Sequence, residues 1–327
     1  MNYDLYAVAK NSTTGVINRV NVSSGSIVGT IALPTGVNSI HPQITLNAAR
    51  TRAWVAIAQP VAPYSNYVVT IDTTTDTIIH TTTLSGSSTY TRGVLSPDET
   101  TLYLSDGTNY IWSMNTSTYA LGTEHASFSI AGVSPDNSKL YGQSSTRGEI
   151  VNASGYGVLY SWTGMGSPFN PVSDLAGTTL VNYDPSVGGN IYASNLSTHS
   201  TVGSTSGAYG TPFPSPLGTY FGFASRPGTF SNSATFFRTS SILAGTFTIA
   251  GSYSPSGGVW SLAITPDDQT AYIIADPGTG GRNLVTYSLS SMSVSSTVAL
   301  GTSFSPISTG LVPSNTTTTA NPVVMII

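Results

Sequence analysis

Side chains able to do acid, base, nucleophilic or metal chemistry are thinly spread along these 327 residues. The histidines are His41, His80, His125 and His199, none with a second histidine or a carboxylate at ligand spacing, and neither H-E-x-x-H nor G-x-S-x-G occurs. Asp72-Thr73-Thr74-Thr75-Asp76 has the oxygen-rich composition of a calcium loop, since that ion takes several carboxylate and carbonyl ligands. The same place in similar segments reads Asn21-Val22-Ser23-Ser24-Gly25 and Asn115-Thr116-Ser117-Thr118-Tyr119, which points to a turn instead. Gly278-Thr279-Gly280-Gly281 lacks the spacing and the helix of a phosphate loop and reads as a hairpin bend. These residues assign no catalytic group, no metal ligand and no cofactor.

An acid does recur at a fixed place, in Ser96-Pro97-Asp98, Ser134-Pro135-Asp136 and Thr265-Pro266-Asp267, each between two short apolar runs. Proline presets φ for the first central position of a type I turn, and Asp can bond its own backbone beyond it, so the pair has a mechanical reason. Pro97 and Pro135 lie 38 residues apart, close to the roughly 40–45 of one four-stranded propeller blade. Units lacking the Pro-Asp turn show the closing hairpin instead: Val16 to Leu33, Val68 to Leu84, Ile111 to Phe128, Leu159 to Leu175, Phe236 to Ile249, Leu284 to Leu300 and, more weakly, Asn190 to Val202. The expected fold is an all-β propeller of about seven four-stranded antiparallel blades, a common number for a closed ring.

Asp4-Leu5-Tyr6-Ala7-Val8-Ala9-Lys10-Asn11, with Gly15-Val16-Ile17-Asn18-Arg19-Val20-Asn21 and Ile27-Val28-Gly29-Thr30-Ile31, resembles a repeat of the YVTN-type (WD40-like) β-propellers. So does Ala53-Trp54-Val55-Ala56-Ile57 with Val68-Val69-Thr70-Ile71-Asp72 and Thr77-Ile78-Ile79. The likeness holds over residues 1–142 and 259–300. It implies a seven-bladed fold and no particular activity, because such repeats serve many roles. Related propellers include sugar lactonases, which need convergent acids, a His and an Arg; only 14 acidic residues are present here, several of them in the Pro-Asp turns.

The chain enters at what matches a second strand, so the first strand of that blade is expected from Thr309-Gly310-Leu311-Val312-Pro313-Ser314-Asn315, a closure that removes open sheet edges. The expected organisation is one domain, 1–327, with blades near 3–33 plus 307–315, 37–84, 91–129, 130–175, 177–205, 217–250 and 259–300. Residues 316–327 are read as an edge strand or tail, or as an assembly contact. Between Gln143 and Val259 the repeat loosens: Gln143 to Tyr156 and Thr198 to Pro216 read as polar connections, either a degraded blade with surface loops or recognition loops on a rigid ring.

Charged residues make up 7% of the chain, against about 25% in ordinary soluble proteins. Ser and Thr dominate the solvent side of the strands, and Lys10 and Lys139 are the only lysines. With a net charge of −4 and no basic cluster, counterion release cannot drive nucleic-acid binding. No apolar stretch reaches the roughly 18 residues of a membrane span. The chain holds no Cys, which leaves the compartment open. Met1 leads straight into the first blade without a signal-peptide pattern. Together with the hydroxyl-coated surface, this leads us to expect a virion protein, a phage tail or capsid-decorating module. The alternative is a secreted or cell-surface propeller of the YVTN type, with a lactonase-like enzyme as the outlying case.

In a propeller, the connections from second to third strand and from blade to blade share one rim. That assignment gathers Tyr64, Tyr67, Arg92, Tyr110, Arg147, Tyr156, Arg226, Tyr253, Trp260, Arg282 and Phe304 near a single face. Aromatics and Arg are the side chains that most often anchor interfaces, and tyrosines and Trp260 could also stack on sugar faces. The competing reading is that they cap blade ends as packing residues. The expected partners are other virion or surface proteins, glycans, or further copies of this chain in an assembly.

Overall fold

The computed structural model describes residues 3–10, 15–34, 43–58, 66–84, 92–105, 110–126, 128–166, 171–184, 189–207, 209–225, 232–301 and 306–313. Residues Met1–Gly93 with Pro255–Ile327 form one compact unit and Val94–Ser254 a second.

The first unit holds three blades. Blade 1 comprises β1 (Tyr3–Lys10), β2 (Gly15–Asn21) and β3 (Ile27–Ala32), and blade 2 β4 (Gln43–Leu46), β5 (Arg52–Ala58), β6 (Asn66–Asp72) and β7 (Thr77–Leu84). In the second unit, blade 3 is β8 (Arg92–Leu95), which begins at the unit boundary, with β9 (Thr101–Ser105), β10 (Tyr110–Asn115) and β11 (His125–Ala126). Blade 4 is β12 (Ser129–Val133), β13 (Lys139–Ser144), β14 (Arg147–Asn152) and β15 (Val158–Thr163). Blade 5 is β16 (Val172–Ser173), β17 (Thr179–Asp184), β18 (Asn190–Asn195) and β19 (Ser200–Thr205). Blade 6 is β20 (Thr211–Pro214), β21 (Tyr220–Ala224), β22 (Ala234–Arg238) and β23 (Ile249–Tyr253), with a short helix α1 (Thr239–Leu243) in its last turn. Blade 7, back in the first unit, is β24 (Gly258–Ile264), β25 (Thr270–Asp276), β26 (Arg282–Ser288) and β27 (Ser293–Gly301). Finally β28 (Pro306–Pro313) pairs antiparallel with β1, Leu311 opposite Leu5, and gives blade 1 its first strand as the sequence predicts. The fold is thus an all-β, seven-bladed propeller of four-stranded antiparallel sheets.

Middle strands are buried on both faces, as in β17 and β21, where every residue is buried. They read as continuous apolar runs for that reason. Outermost strands bury little, and β15 and β19 are exposed or half-buried along almost all their length. The sequence reading went astray in the middle of the chain. The segment 143–156 is not a long connection: β13 ends at Ser144 and β14 spans Arg147–Asn152. Nor is 198–216 a loop, since it carries β19 and β20. The boundary placed at 175 falls inside blade 5, whose two-residue first strand is too short to show a period. Blade 6 starts at Thr211 rather than 217. The segment 316–327 lies outside the described residues.

The Pro-Asp turns belong to a wider device. Six first-to-second-strand turns start with a polar side chain that accepts the backbone N–H five residues on. They are Asn47 (2.9 Å), Ser96 (3.0 Å), Ser134 (2.9 Å), Asp174 (3.1 Å), Ser215 (2.9 Å) and Thr265 (2.8 Å). Three residues after each lies the left-handed position, occupied by Arg50, Glu99, Asn137, Gly177, Gly218 and Asp268. In the second copy of the Pro-Asp turn, Asp136 accepts the Ser134 hydroxyl and the Ser138 N–H and hydroxyl. These bonds, Ser134 first, hold its carboxyl down to about 2 from an ordinary 3.8. A depressed carboxyl stabilises the fold above its unfolded value and loses that contribution as pH falls through the folded one. We therefore expect Asp136→Asn to flatten the acid limb of thermal stability between about pH 4 and pH 2. Parallel Tm-versus-pH curves for variant and parent would contradict this.

Third-to-fourth-strand turns follow a second rule. Asn21, Asp72, Asn115 and Asn195 each accept the N–H groups two and three residues on, and Asn152 accepts that of Ser154. Asp72 thereby spends its carboxylate on the turn, as the comparison with Asn21 and Asn115 predicts, and among the described residues no group of three His, Asp or Glu could hold a metal ion. Four residues after each acceptor comes a left-handed residue: Gly25, Asp76, Tyr119, Tyr156 or His199. Several of these reach the preceding blade. His199 stacks on Tyr160 of β15 at 3.7 Å, Tyr156 on His125 of β11 at 3.9 Å, and Asp76 bonds Arg19 of β2. Gly25 sits so close to β27 that a Cβ there would lie 2.6 Å from Val298.

Candidate binding site

Two of the rim residues read from the sequence, Trp260 and Arg282, meet at one end of blade 7. Trp260 is the extra residue of a β-bulge: Val259 pairs with Ala275 and Ser261 with Ile274, leaving Trp260 unopposed. A bulge re-aims the side chain that it carries. Arg282 opens β26, and its guanidinium carbon lies 4.6 Å from the Trp260 ring centroid. Asp276, the last residue of β25, fixes it from the side through an ion pair of 2.9 Å. Asp276 also accepts the Gly278 N–H at 2.8 Å, and Arg282 donates to its neighbour's carbonyl, that of Gly281, at 2.8 Å.

The loop between these strands is the hairpin bend that the sequence predicts, with Gly278, Gly280 and Gly281 all at φ between 79° and 89°. Only glycine takes that conformation freely. The cluster is mostly buried yet not sealed: the ion-paired side chains keep 15% and 18% of their exposure and Trp260 is half-buried. The Nε1–H of Trp260 and the Nε–H of Arg282 are buried with no acceptor among the described residues. Unsatisfied buried donors cost about 1–3 kcal/mol each, and two of them meet in this cluster. The arrangement offers an aromatic surface, a held cation and a carboxylate, which suits stacking and hydrogen bonding.

The other rim candidates divide. Tyr67 is 6% exposed, with its hydroxyl donating to the Pro34 carbonyl at 3.3 Å; burial pushes it up to about 12, and it packs in the core of blades 1 and 2. Tyr110 is exposed at the start of β10, its ring 6.0 Å from Trp112. Arg147 is exposed at the start of β14, and Tyr253 is half-buried at the end of β23. Arg92 opens β8. Tyr156 is misplaced by the sequence reading: it occupies the left-handed position of the β14–β15 turn, at the opposite end of β14 from Arg147. Tyr64, Arg226 and Phe304 lie outside the described residues. Asp276 was missed; its signal is an Asp directly before Pro-Gly, the same turn chemistry that the sequence shows elsewhere.

The architecture defines a class, the seven-bladed β-propellers, and solved structures of that class are similar over nearly the whole chain. A "putative 6-phosphogluconolactonase" from Bacteroides uniformis shares 12% identity at a TM-score of 0.69, covering 95% of this chain and 99% of its own. Its namesake from Bacteroides fragilis shares 12% at 0.65, covering 95% and 98%. Kuenenia stuttgartiensis hydrazine synthase shares 14% at 0.62, covering 86% and 92%. Identities this low carry the fold and nothing finer. No protein-family model and no curated protein matches the chain.

Proposed function

We propose that this chain is a non-enzymatic binding propeller of the YVTN type that contacts a partner protein or a host-surface glycan through its rim. The Trp260–Arg282–Asp276 cluster carries this reading. A tryptophan re-aimed by a bulge, with a fixed guanidinium beside it, is what an interface anchor or a sugar-stacking platform requires. The low-charge, hydroxyl-rich surface favours an exposed structural setting, and we place the protein on a phage particle as a tail or capsid-decorating component. Of the described arginines, Arg19 and Arg282 are tied to carboxylates and Arg238 lies over Tyr220.

Trp260→Ala and Arg282→Ala are each expected to weaken capture of virion proteins or arrayed glycans by at least about tenfold, as interface anchors do, with far-UV circular dichroism and a cooperative melt retained. Retention of full binding in both folded variants would remove the rim from the account. Mass spectrometry of purified particles against culture supernatant tests the location, and absence from particles overturns it. A second reading rests on the two lactonase-named structures, which cover 95% of this chain. Hydrolysis of 6-phosphogluconolactone above the spontaneous rate would establish that reading in place of ours.

A further inference from the structure

A cleft of about 180 Å³ opens between blades 3 and 4, and its lining includes none of the Trp260 cluster residues. It owes its existence to the fourth strand of blade 3. The fourth strands of the other blades run five to nine residues, whereas β11 has two. The facing part of blade 4 is therefore left uncovered. Ile111, Phe128, Val151 and Val158 supply apolar walls, and His125 stacked on Tyr156 closes one side. Phe128 is held in place because it lies over Gly142, where a Cβ would come within 2.5 Å of its ring.

One charge faces this space. Glu149, half-buried on β14, lines the cleft and has no hydrogen bond or ion pair among the described residues. Burial raises its pKa, and the only opposing influence is the charge of Arg147 two residues earlier. A carboxylate desolvated without a partner favours whatever brings it a cation. Four apolar walls leading to that carboxylate match a group with an aliphatic stem and a terminal ammonium. At the mouth, Val158 of β15 is 58% exposed, an apolar edge that a macromolecular surface could cover and a small free amine could not.

We propose that this cleft is a docking pocket for a lysine side chain of a partner protein, its alkyl stem between Ile111, Val151 and Val158 and its ammonium on Glu149. The site is independent of the rim cluster and stands whether or not that cluster binds a ligand. The test uses the full chain and a short lysyl peptide with blocked ends, followed by NMR shifts of the Ile111 and Val151 methyl groups, with the Nε-acetylated peptide and n-butylamine as the other arms. Saturable shifts with the lysyl peptide, and affinity at least about tenfold lower for the acetylated peptide, are expected, since acetylation removes the charge. Glu149→Gln should cause a similar loss while melting no lower than the parent, because it removes a half-buried charge that has no partner among the described residues. Val158→Ser removes the apolar contact at the mouth without changing the charge of the cleft and is expected to weaken the peptide several-fold. Equal affinity for both peptides, or for the Glu149→Gln protein, overturns the proposal. Binding of butylamine as tight as that of the peptide overturns the assignment to a partner's side chain.

Discussion

Ending the chain after Ser305 is expected to abolish cooperative folding. The truncation removes β28 and leaves blade 1 with three strands. It strips β1 of a partner that runs from Tyr3 opposite Pro313 to Ala9 opposite Pro306. Each lost backbone hydrogen bond is worth about 0.5–1.5 kcal/mol. The apolar loss is larger: Leu5 and Tyr6, 1% and 0% exposed, sit on the strand that β28 covers, and each buried side chain of that size contributes about 1.5–3 kcal/mol. The sum rivals the whole stability of a typical domain, about 5–15 kcal/mol. The free edge of β1 would also become a template for intermolecular pairing. The expected readout is loss of the near-UV circular dichroism signal with aggregates in size exclusion, and partial rescue by a peptide of residues 306–313. Leu5→Ala is the graded version and should cost about 2–5 kcal/mol in urea unfolding. A monomeric truncated protein with a sharp melting transition would show that this strand adds little.

That closure could be read in the sequence because Thr309 to Asn315 repeats the strand-and-turn pattern of the other blades, and the chain begins at a second strand. Blade count was legible for the same reason: the turns are chemically marked by Ser, Thr, Asp or Asn at one position and by a left-handed residue three further on. The signal failed in two kinds of strand. β14, a third strand, opens on Arg147-Gly148-Glu149 and reads as polar although half of it is buried, and outermost β19 is Ser- and Thr-rich with no buried residue, so its alternation vanishes; Tyr156 was assigned to the wrong end of its blade. A finer reading was available in Asn152-Ala153-Ser154-Gly155-Tyr156, which keeps the acceptor and the left-handed residue at the spacing of Asn21 and Gly25. The rim cluster was half legible. Trp260 and Arg282 could each be named as candidates, but their contact depends on a bulge and on the path of a glycine loop, neither of which composition reports. Glu149 was invisible as a site residue, since only the shortness of β11 exposes it.

Replacing Arg19 by Ala should destabilise the protein by about 3–5 kcal/mol, the range seen when one partner of a buried ion pair is removed. The register places the network: Tyr6 is opposite Arg19 and Asp4 opposite Asn21, so alternation puts all four side chains on one face of blade 1. Arg19 is 2% exposed. Its Nε donates to Asp4 at 2.9 Å, and its Nη1 donates to Asp76 at 2.7 Å and to the Thr73 carbonyl at 3.1 Å. The guanidinium also lies 5.5 Å from the Tyr6 ring centroid, and the Tyr6 hydroxyl donates to Asp76. Burial first, and then that bond to Asp76, push the Tyr6 hydroxyl far above its ordinary range, so it stays protonated and remains a donor. Asp76 comes from the β6–β7 turn, which makes this network the bolt between blades 1 and 2. Without Arg19, Asp4 keeps among the described residues only a 3.4 Å contact from Asn21, far too little for a carboxylate whose side chain is 1% exposed. The expected cost is therefore mainly that of a stranded charge, and it should shrink when the charge is removed as well. Arg19→Ala in an Asp4→Asn background is expected to cost at least about 1.5 kcal/mol less than in the parent, measured by urea unfolding as a double-mutant cycle. Additive losses would locate the penalty in the packing of the arginine stem rather than in the ion pair, and an Arg19→Ala cost below about 1 kcal/mol would show that the bolt is ornamental.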